Sequence, residues 1–253
     1  MIEKVYVLNL DRQPHRWHTI MTTLHMANVP FDRIERVPAK DGRYYETREQ
    51  VLDNMVSDGF DAYVRFWREL PVDSEIAFWH EPKNLCVQWG HLSIIRRIAE
   101  QGQAALVFED DTYLRNHTLY GIETRCDMLD DFELLYLYSH DWYLVDEEHR
   151  ISGYETHQDK FADELVPTIV PEIYANSYGM GSQIRLWTPA GAERFLASRP
   201  DKQNENWSYY LKMDGQDTNK HLVWKSGNHI IWEGIDNREE VSFCAWDPRF
   251  ITD

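Results

Sequence analysis

The run Ala-Ala-Leu-Val-Phe-Glu-Asp-Asp occupies positions 104–111 of the sequence. Its apolar part is short and continuous, as in the buried strands of parallel sheets. Three acidic residues, Glu109, Asp110 and Asp111, follow it directly. Open α/β sheets bind their ligands at the carboxyl ends of such strands. We therefore predict a buried strand over 104–108 that carries an acidic loop, residues 109–111, at a ligand-binding edge.

The acidic loop has two interpretations. Three consecutive carboxylates repel one another, and a divalent cation would relieve that repulsion. The hard ions Mg²⁺ and Mn²⁺ take carboxylate oxygens and share them with substrate phosphates. Alternatively, the triplet is a solvated turn, which is the usual place for charged residues. Its position after a buried strand favours the cation site, with Asp110 and Asp111 as metal ligands and Glu109 and Asp110 close to the bound substrate.

The rest of the sequence alternates between strand and helix patterns. We predict strands over 4–10, 29–37, 132–138, 181–187 and 229–232, helices over 14–27, 85–98 and 188–199, and helices joined by loops over 44–82. This alternation is typical of an α/β sandwich in which helices flank a central sheet. No linker rich in Gly, Ser or Pro divides the chain, so we predict a single domain over residues 1–253.

The composition is that of a globular protein with an acidic surface. Hydrophobic residues make up 43% of the chain, and the formal net charge is −17. Such a charge disfavours nonspecific binding to DNA or to anionic membranes. A local basic patch could still bind one diphosphate. The candidate arginines are Arg12, Arg16, Arg33 and Arg36.

Cysteine usage and hydropathy bear on the cellular compartment. Cys86, Cys126 and Cys244 show no paired spacing, which favours neither a disulfide framework nor a zinc site and fits a reducing compartment. The sequence begins without the pattern of a signal peptide. Its apolar runs are far shorter than the ~20 residues that cross a bilayer. We therefore expect a cytoplasmic protein without a membrane span.

Polar residues also follow the first two predicted strands. Asn9, Asp11 and Arg12 end the first strand, and Asp41 follows the second. Because parallel strand ends meet at one edge of a sheet, these side chains could bind the base, ribose and phosphate of a nucleotide. The competing interpretation is that they cap helices.

Five segments, in order along the chain, carry a family resemblance. They are Val-Tyr-Val-Leu-Asn-Leu-Asp-Arg at 5–12, Pro-Ala-Lys-Asp-Gly at 38–42, Cys-Val-Gln-Trp-Gly-His-Leu-Ser-Ile at 86–94, Leu-Val-Phe-Glu-Asp-Asp at 106–111, and the strand and helix start at 181–192. Together they resemble glycosyltransferase family 25, which includes lipooligosaccharide sugar transferases and collagen galactosyltransferases. The sequence departs from the family at Gly90, where the family usually has Ser.

The resemblance implies a fold, cofactors and substrates. It implies a Rossmann-like nucleotide-binding fold of the GT-A type with a mixed central sheet, in which residues 1–115 mainly bind the donor nucleotide and residues 116–253 mainly bind the acceptor. It also implies a UDP-sugar donor, a Mn²⁺ or Mg²⁺ ion, and inversion at the anomeric carbon.

Further site residues are assigned with open alternatives. His91 could orient the acidic loop or contact the donor, but a lone histidine on an apolar helix is more often a core residue. Enzymes of the GT-A type often complete the metal site from late in the chain, which makes His229 a candidate ligand and His221 its rival. Inverting transfer needs a carboxylate base, for which Asp214 is the first candidate and Asp217 the second.

These observations predict a metal-dependent inverting glycosyltransferase that transfers a hexose-type sugar to a hydroxyl of a saccharide or protein acceptor. The alternatives are a viral-type transferase acting on hydroxylated bases in DNA, which the negative charge disfavours, and an inactive sugar-binding relative. The sequence contains no Gly-rich phosphate loop, no Gly-x-Ser-x-Gly elbow and no His-Glu-x-x-His motif. The common kinase, hydrolase and zincin classes are therefore disfavoured.

Overall fold

A computed structural model describes a mixed α/β protein. The described residues are 2–69, 81–114, 118–137, 166–171, 173–175, 184–197, 199–200, 213–214, 220–224 and 230–232. The helices among them are α1 (Pro14–Met26), α2 (Arg48–Ser57), α3 (Asp61–Glu69), α4 (Pro82–Gln101), α5 (Leu119–Cys126) and α6 (Pro189–Ala197), with short 3₁₀ helices at Phe31–Arg33 and Gly42–Tyr44.

The strands build one large sheet and two small ones. They are β1 (Lys4–Asn9), β2 (Ile34–Pro38), β3 (Ala105–Glu109), β4 (Thr112–Leu114), β5 (Leu134–Tyr136), β6 (Val166–Pro167), β7 (Ile173–Ala175), β8 (Ile184–Trp187), β9 (Arg199–Pro200), β10 (Met213–Asp214), β11 (His221–Trp224) and β12 (Ile230–Trp232). The order in the large sheet is β2-β1-β3-β8-β5-β11-β7-β6, while β9 pairs with β10 and β4 pairs with β12.

The large sheet is mixed, as expected. Strand β1 runs parallel to both of its neighbours, β2 and β3. Strand β8 is antiparallel to β3 on one side and to β5 on the other. Strand β11 is parallel to β5 and antiparallel to β7. The strands β1, β2, β3, β5 and β11 therefore end at the same edge of the sheet.

Helices cover both faces of β1, because successive side chains of a strand point to opposite faces. Val5 and Val7 pack in a core cluster with α1 and α5, whereas Tyr6 and Leu8 pack in a second cluster with α2, α3 and α4. All four side chains are at most 5% exposed. The continuous apolar run of β1 thus reflects burial on both faces.

The predicted elements agree with the structure except at their boundaries. The second strand is shorter than predicted and starts at Ile34, because residues 31–33 form a 3₁₀ helix. Helix α4 is longer than the predicted 85–98 and begins at Pro82. Proline is favoured in the first helical turn because its missing N–H needs no partner there. Gly102 follows the helix as its C-cap with a φ of 65°.

Gly42 allows the loop after β2 to lie against the start of α4. A Cβ atom at this position would lie 2.4 Å from Lys83 Cα and 2.7 Å from Lys83 N, which are backbone atoms. The glycines with positive φ among the described residues are Gly59 and Gly102. The Asp-Gly pair at 41–42 therefore requires glycine for this close approach, and not for a positive φ.

We expect Gly42→Ala to destabilise the protein. The added methyl group must push the backbone of α4 away from the β2 loop, and such overpacking typically costs about 1–3 kcal/mol. Urea unfolding followed by circular dichroism measures the free energy of unfolding.

Gly121→Ala is the matched control for this substitution. Gly121 lies within α5, and its Cβ would meet Thr118 Oγ1 at an ordinary 3.4 Å. Alanine is the better helix former by roughly 0.5–1 kcal/mol, so this variant should be at least as stable as the parent. Equal stability of Gly42→Ala and the parent would contradict the close-approach explanation.

Candidate functional site

The candidate site lies where the chain changes direction along the sheet. From β1 the chain passes through α1 to β2 on one side, and then through α2, α3 and α4 to β3 on the other side of β1. A crevice forms at the carboxyl ends of strands at such a switch point, and it is the usual ligand site of open α/β sheets. Asn9 ends β1 and Glu109 ends β3, so the acidic loop lies at this switch point, where such a crevice is expected.

Asp110 is fixed by two side chains from the first β-α unit. Its Oδ2 accepts a hydrogen bond of 2.6 Å from Asn9 Nδ2, and its Oδ1 accepts one of 3.2 Å from Arg16 Nη1. Asp110 is only 8% exposed. Burial raises the pKa of its carboxyl group, while Arg16 and Asn9 oppose that shift. The carboxylate is therefore held in place by its neighbours.

Asp111 is the least satisfied group of the acidic loop. Its Oδ2 lies 3.6 Å from Arg16 Nη1, whereas its buried Oδ1 has no hydrogen-bond partner among the described residues. Burial, followed by repulsion from Glu109 and Asp110, raises the pKa of Asp111 to about 8. A buried carboxylate in such surroundings is stabilised by a cation or by protonation. The solvated-turn interpretation does not describe Asp110 and Asp111, because both are buried.

His91 contacts Glu109 from the helix that precedes β3. The side chain lies on α4 and is 4% exposed, and its Nε2 is 3.0 Å from Glu109 Oε1. Burial lowers the pKa of His91, although the adjacent Glu109 carboxylate opposes the shift. This geometry fits both the core-residue interpretation of His91 and a role in orienting the acidic loop. A contact between His91 and the donor stays a prediction.

Arg185 is a buried cation close to the same loop that the sequence reasoning missed. It lies on β8, opposite Val107 on β3 and Tyr136 on β5, and is 0% exposed. Its guanidinium carbon is 5.4 Å from the centre of the Tyr136 ring. Burial lowers the pKa of Arg185 to about 9, against the opposing effects of Tyr136 and Glu109. The guanidinium is thus charged at neutral pH, and the available signal was an arginine within an apolar strand.

Asn9 connects the acidic loop to the neighbouring strand β2. It is 0% exposed, and its Oδ1 accepts a hydrogen bond of 2.7 Å from Arg36 Nε. Its Nδ2 also donates to Gln13 O at 3.1 Å, just before α1. Arg36 Nη2 contacts the exposed Asp11 at 2.7 Å. Asn9 therefore holds β1, β2, α1 and the acidic loop together.

Asp41 forms a second polar cluster at the end of β2. It accepts a hydrogen bond of 2.7 Å from Arg12 Nε and one of 3.1 Å from the backbone N–H of Arg43. Burial alone would raise the pKa of Asp41, but the hydrogen bonds from Arg43 and Arg12 lower it. Asp41 caps the 3₁₀ helix that follows it, which agrees with the capping interpretation. Its exposed partners Arg12 and Arg43 remain accessible to a ligand.

The predicted basic patch is only partly assembled. Arg16 and Arg36 both contact the network around Asn9 and Asp110, and Arg12 lies beside Asp41. Arg33, in contrast, donates a hydrogen bond of 2.9 Å from its Nη1 to the backbone oxygen of Ile2, and the same Nη1 lies 3.4 Å from Glu123 Oε1. Because it precedes β2, it lies at the amino end of the parallel strands, and its assignment to the patch was wrong.

The late candidates lie partly outside the described residues. Asp217 and His229 are outside them, and only the backbone of Asp214 is described, in β10. His221 begins β11 and is therefore at the amino edge of the sheet, opposite the acidic loop. Strand β12, the next described strand after β11 along the chain, pairs with β4. Trp232 of β12 lies opposite Thr112, the residue after Asp111. The late chain thus approaches the acidic loop through β12.

The described residues contain neither a cluster of several metal-ligating side chains nor a membrane-spanning helix. Within them, no group of three or more His, Cys, Asp and Glu side chains is arranged to hold a metal ion. Mg²⁺ commonly keeps several waters and binds through one or two carboxylates together with substrate phosphates, so two aspartates are compatible with an ion that the donor helps to bind. None of the described helices combines the length and apolar character needed to span a bilayer.

Comparisons with known proteins give little further information. No protein-family model and no curated protein matches the sequence. Among solved structures, the apo form of mouse xyloside xylosyltransferase 1 is similar with a TM-score of 0.39 and 7% identity, over 78% of this chain and 72% of that chain. A similarity of this size identifies neither the family nor the activity of the chain.

Proposed function

We propose that the protein is a metal-dependent inverting glycosyltransferase that uses a nucleotide-sugar donor, with UDP as the expected nucleotide. The observation that carries this proposal is the buried Oδ1 of Asp111, which has no hydrogen-bond partner in the described part of the chain and lies beside two further carboxylates at the switch point. Carboxyl groups with such a perturbed pKa cluster at functional sites. A divalent cation bound with a diphosphate provides this compensation.

The residues present suit such an ion. Asp110 and Asp111 offer hard oxygen ligands, and Glu109 adds negative charge nearby. When bound, the ion would stabilise the negative charge of the departing diphosphate. Asn9 and Arg16 hold Asp110 in position, and His91 orients Glu109.

The arginines near the crevice would bind the donor phosphates. Arg12, Arg16 and Arg36 have side chains that are 25% to 33% exposed, so each is accessible to a ligand. Their clustering matters because the whole chain has a net charge of −17. Guanidinium groups bind phosphate oxygens in bidentate geometry. The crevice thus combines cations for the diphosphate with carboxylates for the metal.

The acceptor must lose a proton to a base while the diphosphate leaves from the opposite face of the sugar. We propose Asp214 as that base, with Asp217 as its alternative. The acceptor is a hydroxyl of a saccharide or a protein, bound by the half of the chain after residue 115.

A donor screen tests the proposal. The protein is incubated with Mn²⁺ and each common nucleotide sugar, and release of the free nucleotide diphosphate is measured. We expect one UDP-sugar to be hydrolysed slowly even without acceptor, and EDTA to stop the reaction. The same donor should raise the Tm only when Mn²⁺ is present. If no nucleotide sugar is hydrolysed or raises the Tm in the presence of Mn²⁺, the transferase proposal is wrong.

A further inference from the structure

Arg16 occupies the position between the two aspartates of the acidic loop. Its Nη1 lies 3.2 Å from Asp110 Oδ1 and 3.6 Å from Asp111 Oδ2. A single guanidinium nitrogen thus contacts carboxylates of two different residues. This is the role that the proposed function gives to a divalent ion.

A divalent ion held by Asp110 and Asp111, even through the Asp111 Oδ1 that Arg16 does not contact, would lie close to the guanidinium on the neighbouring oxygens. Like charges at such separations repel strongly in a partly buried site, where screening by water is weak. Binding of the ion therefore requires Arg16 to leave Asp110, Asp111 or both.

The location of Arg16 allows this displacement. The side chain is 25% exposed and starts from the first turn of α1, so it has a route into the crevice. Asn9 anchors Asp110 and the start of α1 independently of Arg16, through its bonds to Asp110 Oδ2 and Gln13 O. Arg185, the other cation near this loop, is fully buried and has no such route.

We propose that Arg16 is the resident cation of the acidic loop in the metal-free protein and that it competes with the divalent ion for Asp110 and Asp111. This inference rests on the proposed function, because it concerns the same metal site. Arg16 thereby sets the affinity for the ion and keeps the acidic loop ordered when no ion is bound. The displaced guanidinium then faces the crevice, where the donor diphosphate is expected.

Mn²⁺ alone is the probe for the test. Binding to the parent protein and to Arg16→Gln is measured from the loss of the free-ion signal in electron paramagnetic resonance. Removal of the competing charge should tighten Mn²⁺ binding roughly tenfold, the scale on which one close charge pair alters binding. In the metal-free state Arg16→Gln should have a lower Tm than the parent, and Mn²⁺ should raise its Tm by more.

Two further variants separate the charge from the rest of the side chain. Arg16→Lys keeps a positive charge, although a compact ammonium replaces the planar guanidinium, so it should bind Mn²⁺ more weakly than Arg16→Gln does. Arg16→Met keeps the apolar stem without the charge, and it replaces Arg16→Gln if that protein does not fold. Arg65→Gln, an exposed arginine on α3 at the opposite face of the sheet, controls for the loss of one positive charge.

The possible outcomes distinguish this inference from the proposed function. Tighter Mn²⁺ binding by Arg16→Gln but not by Arg65→Gln supports the competition. If the parent itself binds no Mn²⁺, the same result still supports the competition, but the proposed metal dependence of the parent is wrong. Binding by the parent with unchanged or weaker binding by Arg16→Gln overturns the competition and leaves the metal site intact. Equal tightening in Arg16→Lys also overturns it. Failure of every variant to bind Mn²⁺ overturns the competition, and the donor screen with Mn²⁺ then decides the proposed function separately.

Discussion

Asp111→Asn is expected to weaken Mn²⁺ binding in the presence of UDP by roughly 100-fold or more, because even residues that only support metal ligands contribute 10- to 100-fold. The same change should make the metal-free protein more stable, by about 0.5–2 kcal/mol. Burial and the charges of Glu109 and Asp110 disfavour the ionised form of Asp111, and together they outweigh its ion pair with Arg16. A neutral amide of the same shape removes that unfavourable charge.

The combination of a stability gain and a binding loss is specific to a ligand site. A residue that only supports the fold would lose stability on substitution, and a solvated residue would show neither effect. Calorimetric titration with Mn²⁺ and UDP, together with urea unfolding without metal, measures both quantities. Asp32→Asn removes one exposed negative charge near the amino end of β2, far from the carboxyl-edge site, and should change neither. Unchanged Mn²⁺ binding by Asp111→Asn would exclude Asp111 as a ligand.

The sequence predicted the features of the site that depend on local pattern. An apolar run followed by acidic residues predicted both the buried strand β3 and the placement of Asp110 at its end. The polar residues after β1 were expected at the same edge, and the bond between Asn9 and Asp110 joins the two strand ends. These inferences required only the period of a strand and the rule that parallel strands end together.

Features that depend on strand order could not be predicted in this way. Arg185 lies close to the acidic loop only because β8 is inserted between β3 and β5, which are distant in sequence. Arg33 and Arg36 look equivalent in the sequence. Arg33 precedes β2 and donates to Ile2 O, whereas Arg36 lies in the middle of β2 and donates to Asn9 Oδ1. The requirement for glycine at position 42 also comes from a distant neighbour, Lys83. Single-sequence reasoning has no access to such contacts.

Arg185→Ala is expected to lower the free energy of unfolding by about 3–5 kcal/mol, the usual cost of truncating a large, fully buried side chain. The substitution leaves a cavity on the face of the sheet beside Val107 and Tyr136. It also removes a guanidinium group whose pKa is raised by Glu109. Urea unfolding measures the loss. Arg65→Ala, at an exposed position of α3, should change the stability by less than about 0.5 kcal/mol.

A double-mutant cycle with Glu109→Gln separates charge from packing in this effect. If Arg185 balances the charge of Glu109, the neutral glutamine removes the group that Arg185 compensates, and the double variant should lose less stability than the sum of the single variants. A coupling of about 1 kcal/mol or more is expected for groups in one electrostatic network. Additive losses would mean that Arg185 stabilises the sheet by packing alone. If the two losses are coupled, the acidic loop is stabilised by two cations of different kinds. Arg185 is fully buried and stays in place, whereas Arg16 is partly exposed and can be displaced by a ligand.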